Sequence, residues 1–155
     1  MQNFMKWPLV IAAIIVILRV LAEQVGAPES VNKVFGVTWL FFVVPIYFAR
    51  KIAATNDPQP YKTLFLKTAI YVALVRLMLI PVYWLAYTFN WSAARFASEQ
   101  GGVVGDDISP FNGYVFIPFA ALLAWVVTAT LFCGGIGALL LAWQRRGQSN
   151  TSATR

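Results

Sequence analysis

The segment YVALVRLMLIPVYW, Tyr71 to Trp84, is apolar at every position but one, and the exception is an arginine near its middle. It lies inside a longer run, Tyr61 to Tyr87, whose only other charged residues are Lys62 and Lys67. At about 1.5 Å per residue, a helix over that run rises roughly 40 Å. That length exceeds a hydrocarbon layer of about 30 Å. A guanidinium at this depth is costly against lipid, so Arg76 is expected to point into protein.

Composition agrees with a membrane chain. The 155 residues are 59% hydrophobic and 12% charged, with a mean hydropathy of +0.67, far from an ordinary soluble domain. The apolar residues gather in four long blocks. We read an all-α integral membrane protein, one transmembrane domain over 1–155. Its predicted spans are about 7–25, 31–51, 61–87 and 117–143, followed by a mobile polar tail, 144–155.

Punctuation between the blocks supports these limits. Pro8 suits a first helical turn. Gly26 and Pro28 are expected to end span one and start span two, making a tight hairpin. Pro45 is expected to kink span two. TNDPQP, Thr55 to Pro60, is dense in turn formers. Thr88 to Tyr114 forms a long outer loop between spans three and four. Lys6 precedes the first apolar run, but Arg19, Glu23 and GAPES follow it in place of a small-residue cleavage site, so it is read as a retained span.

Basic residues fix the expected orientation. One side holds Lys6, Arg50, Lys51, Lys62, Lys67, Arg145, Arg146 and Arg155 against Asp57 alone; the other holds Lys33 and Arg95 against Glu29, Glu99, Asp106 and Asp107. By the positive-inside rule both termini are expected in the cytoplasm. The expected location is a bacterial inner (plasma) membrane. The same bias explains the net charge of +6 without a nucleic-acid partner. Tyr83, Trp84, Tyr87 and Trp91 at the outer side, with Trp7 and Trp143 at the inner, read as interfacial belts.

Helical rise also sets depths. Measured from the outer ends, Arg19 lies roughly 10 Å and Arg76 roughly 12 Å into the membrane, and Thr38 and Trp125 fall about 10 Å deep as well. Glu23 is slightly above. Arg19, Glu23, Thr38, Arg76, Tyr83 and Trp125 therefore form the candidate intramembrane polar site. Glu23 stands four residues after Arg19, a spacing that lets them pair, and Arg19, Glu23 and Arg76 are read as a latch between spans one and three. Two arginines against one glutamate leave a positive charge over. Backbone carbonyls, water, an outer-loop carboxylate (Glu99, Asp106 or Asp107), a partner subunit or an anionic ligand would each neutralise it.

Span four carries Thr130, Gly134, Ala138 and Ala142 at four-residue intervals, a helix-packing face for an internal neighbour or a second chain. Cys133 reads as a small packing residue. GGVVGDD lacks calcium-loop spacing, and the sequons at Asn90 and Asn150 are assigned nothing. Histidine is absent, which removes the commonest haem ligand and the usual base of nucleophilic catalysis. Neither a Walker loop nor a nucleophile elbow occurs, and no cofactor or metal site is expected. The expected function is non-enzymatic: a small accessory or structural subunit packing against a larger membrane complex, or a homo-oligomer. The competing class is a binding or transport module holding an anionic amphiphile, a lipid head group or quinone, at the Arg19 and Arg76 layer. Membrane lipids are partners in either case.

Overall fold

The computed structural model describes the backbone of residues 4–55 and 57–152, and their side chains as far as residue 146 except that of Lys33. The side chains of 147–155, including Asn150 and Arg155, lie outside the described residues. Helix accounts for 79% of the chain, and no strand occurs among the described residues. The order is α1 (Lys6–Gln24), a short α2 (Glu29–Val34), α3 (Thr38–Ala53), α4 (Pro60–Thr88) and α5 (Ile117–Ser152). Two 3₁₀ turns (Ala94–Phe96 and Ser98–Gln100) and a π-helical turn (Asn112–Phe116) shape the connection before α5. Three helices, α1, α4 and the apolar part of α5, are long and apolar enough to cross a membrane.

Local chemistry sets the helix ends. The α1 terminus is a Schellman motif: the Ala27 amide donates to the Ala22 carbonyl at 2.9 Å and the Gly26 amide to Glu23 at 3.2 Å. Gly26 sits at φ +76°, where a side chain would be strained. At the opposite end, Asp57 accepts the Gln59 amide hydrogen at 2.8 Å just before Pro60 opens α4. Hydrogen bonds from Thr63 and from that amide hold the Asp57 carboxyl below its ordinary pKa.

The predicted continuous helix over 31–51 is broken. One helix ends at Val34 and the next begins at Thr38. Gly36 falls at the break among β-branched Val34, Val37 and Thr38, all weak helix formers. α3 keeps 16 residues and holds Pro45 inside it. The α5 backbone stays helical to Ser152, into the polar tail read over 144–155. Gln144, Arg145 and Arg146 are good helix formers and extend the last turn of an already nucleated helix.

α4 packs against α1, α3 and α5, and α5 against α3 as well. Contacts at both ends make the four long helices alternate in direction. At one end Phe4 before α1 meets Phe48 of α3 at 5.6 Å, and Arg145 of α5 donates to the Asp57 carbonyl before α4. The core between them is aromatic. Tyr71 is fully buried, edge-on to Phe41 and Phe48 at 6.4 and 6.1 Å.

The small-residue face of α5 is used inside the bundle. A methyl group added at Gly134 would lie 2.9 Å from the Phe65 ring of α4, and one at Gly137 would lie 3.0 Å from the Pro45 carbonyl of α3. Thr130 and Ala138 are partly buried along the same side, and Cys133 beside them is buried. Ala142 continues the row, also partly buried.

Candidate functional site

The polar site is built where α1 ends, around Glu23. Arg19 Nε donates to Glu23 Oε1 at 2.9 Å. Arg95 donates to Glu23 Oε2 through Nε at 3.1 Å and Nη2 at 2.7 Å. The Glu23 side chain is 2% exposed, so this one carboxylate is desolvated and shared by two guanidinium groups. Charge-assisted hydrogen bonds of this kind offset part of that desolvation. Burial pushes the Arg95 pKa down, Glu23 pulls it up and Arg19 pushes it down again.

Arg95 reaches α1 because the outer loop is itself a small packed unit. Phe96, Val103 and Ala86 of α4 are fully buried together. The Phe96 ring stands edge-on to Tyr83 at 5.5 Å and to Trp91 at 5.8 Å. Gly102 lies so close that a methyl group there would come within 2.2 Å of the Phe96 backbone. The Val104 amide donates to the Phe96 carbonyl at 2.7 Å and Ser98 donates to the Val104 carbonyl at 2.8 Å, pinning the turn. Further along, Trp84 Nε1 donates to the Tyr114 carbonyl at 2.7 Å and the Tyr87 hydroxyl to Ile108 at 3.2 Å. The outer aromatics, read from sequence as a belt, thus tie down the loop: Tyr83, Tyr87 and Trp91 are half-buried beneath it.

Arg76 stands apart from the carboxylate. Its guanidinium lies over the Trp125 ring at 4.7 Å, a cation–π contact. Its Nε is buried with no hydrogen-bond partner among the described residues. Beside it is a chamber of about 190 Å³ lined by Arg19, Arg76, Arg95, Thr38, Tyr83 and Trp125 together with apolar residues. No carboxylate lines it. A wider vestibule of about 440 Å³ lies towards the C-terminal end of α1, where Glu23, Glu29, Asn32, Ser92 and Gln100 join Arg19 and Arg95 in the wall. The two spaces share Arg19 and Arg95.

The structure therefore brings Arg19, Thr38, Arg76, Tyr83 and Trp125 to one chamber, one residue or more from each of α1, α3, α4 and α5. Glu23 is placed on the vestibule side. The latch expected among Arg19, Glu23 and Arg76 is corrected in its third member: Glu23 bridges Arg19 to Arg95, and Arg76 stacks on Trp125. Glu23 lies a turn nearer the helix end than Arg19, at the level where the loop docks, which is why the loop residue takes it. Glu99, Asp106 and Asp107 are exposed and line neither space.

Arg95 is the residue that sequence reasoning misses. Its signal was that it is the one basic residue between Thr88 and Tyr114, set among the aromatics Trp91 and Phe96. Among the described residues no group of three His, Cys, Asp or Glu could hold a metal ion. Comparison with known proteins returns no family model, no characterised relative and no solved structure that matches this chain.

Proposed function

We propose that this is a non-enzymatic membrane protein that crosses the bilayer four times, with both termini cytoplasmic, and holds an anionic head group in the arginine chamber of the outer half. One observation carries the reading: three guanidinium groups line a chamber with no carboxylate in its wall, and Arg76 Nε is buried there without a partner. Whole-ligand sites begin at about 300 Å³, so a space of about 190 Å³ suits a head group whose tail lies elsewhere.

Four crossings are supported by the shared level of α1, α3, α4 and α5 around the chamber. α3 alone, at 16 residues, rises only about 24 Å, and α2 with the Phe35–Val37 turn supplies the rest. The lysine and arginine distribution supports cytoplasmic termini, and a bacterial inner membrane is part of the same proposal.

The test is thermal unfolding of the purified chain in mild detergent. Anionic lipid is expected to raise the melting temperature where zwitterionic lipid does not, and Arg76→Gln to abolish the rise. Equal effects of the two lipids on both proteins would reject the reading.

A second reading, the accessory subunit, draws on α5, only 11% of whose most apolar stretch is buried within the chain. Phe132, Leu139 and Trp143 are each more than 70% exposed, a surface that lipid or another membrane protein would cover. The small-residue face no longer argues for a second chain, because α3 and α4 occupy it. Constant copurification with one larger assembly, weakened by Arg76→Gln with lipid binding unchanged, would favour this reading over the first.

A further inference from the structure

We infer that Glu23 is an internal counter-ion, occupying Arg19 and Arg95 until a phosphate-class dianion enters the chamber and displaces it. The inference rests on reading the chamber as an anion site, and it names the ligand chemistry and the means of closure.

Glu23 pairs with two of the three arginines from the vestibule side, where Glu29 also lies. Both its oxygens are engaged, Oε1 by Arg19 and Oε2 by Arg95. Because Arg19 and Arg95 line both spaces, this bridge lies where vestibule and chamber meet. Breaking it opens one space to the other and frees the guanidinium edges that the carboxylate had used.

Charge and geometry select the ligand. The chamber wall carries three guanidinium groups and no carboxylate, with Glu23 and Glu29 on the vestibule side, an excess of positive charge that a dianion offsets more fully than a monoanion. Arg76 and Arg95 lie over the Trp125 and Phe96 rings at 4.7 and 4.3 Å. Their flat faces are thereby covered, and the in-plane N–H groups remain to bind. Planar forks of that kind match the oxygens of phosphate. The displaced carboxylate swings into a vestibule where Ser92 and Gln100 offer donors, so the exchange leaves no charge stranded in an apolar setting.

The experiment uses the full chain in phosphatidylcholine nanodiscs, titrated calorimetrically with inorganic phosphate and, separately, with acetate. A parallel set of nanodiscs containing phosphatidic acid is read by thermal unfolding. Wild-type protein is expected to respond in at least one phosphate arm, and Arg76→Gln to lose that response. Glu23→Gln removes the competing charge and is expected to bind about tenfold tighter. Response to free phosphate identifies a soluble ligand, and response to phosphatidic acid alone a lipid head; either supports the inference. Glu23→Gln binding no tighter than wild type, while Arg76→Gln abolishes binding, overturns the counter-ion and leaves the anion site standing. Acetate binding as tightly as phosphate overturns the dianion. No response from wild type or Glu23→Gln in any arm overturns both this and the anion site. If Glu23→Gln does not fold, Glu23→Asp, whose shorter side chain cannot span both arginines, takes its place. A smaller gain in affinity is then expected, because the charge is kept while its hold on the two arginines is weakened, and its absence overturns the inference.

Discussion

At the scale of single residues, the outer site depends on one carboxylate that holds a loop against a helix. Removing one partner of a buried ion pair leaves the other desolvated and uncompensated, typically at 3–5 kcal/mol. Arg19 and Arg95 keep about a fifth of their side-chain surface exposed, 21% and 18%, so the low end of that range applies. Glu23→Ala is expected to lower stability by about 3 kcal/mol, read by reversible unfolding in mixed micelles. A double-mutant cycle between Glu23 and Arg95 should give a coupling of about 1–3 kcal/mol, and one between Glu23 and Arg76 a coupling near zero. The reverse ranking would contradict the pairing described here.

At the scale of elements, close approaches of backbone to backbone carry the sharpest expectations. Gly102→Ala would force a methyl group against the Phe96 backbone, displacing the loop and Arg95 with it. Its melting temperature should fall, and its response to anionic lipid should weaken although Gly102 lines neither space. An unchanged response would mean that the loop does not position Arg95. In α5, Gly135 has open space where a methyl group would go and Gly137 does not. Gly135→Ala is therefore expected to be neutral or to stabilise by up to about 1 kcal/mol through helix propensity. Gly137→Ala should destabilise by about 1–3 kcal/mol through overpacking against Pro45. Two glycines two residues apart with opposite signs would separate packing from propensity in one unfolding series.

The element scale also shows where pattern reading loses resolution. The long runs of α4 and α5 were plain because only a helix satisfies so many consecutive backbone groups in lipid. The interruption at Phe35–Val37 was not. A single glycine among β-branched residues lowers helix stability by only about 1 kcal/mol, and neighbouring packing decides whether the helix bends or breaks.

For the whole molecule, the alternation of four helices and the charge asymmetry make one prediction about orientation. A reporter fused after Arg155 should be active if it requires the cytoplasm and inactive if it requires the opposite side, and cysteines placed at Glu99 or Asp106 should react with an impermeant thiol reagent added outside. Loop and terminus on the same side would defeat the four-crossing proposal, and both inverted would defeat the assignment of the chamber to the outer half.

From sequence alone came the helical membrane class and the places of Arg19, Arg76 and Trp125 along their helices, because hydrogen-bonded rise per residue is local and constant, whereas Thr38 proved to open a new helix after the break at 35–37. Which groups meet there was a matter for the tertiary structure. No period governs the path from Thr88 to Tyr114, so nothing in the linear order told that Phe96 would bury itself over α4 and deliver Arg95 to Glu23. The counter-ion of a buried charge is chosen by nonlocal packing, and that choice is made only when the loop closes over the bundle.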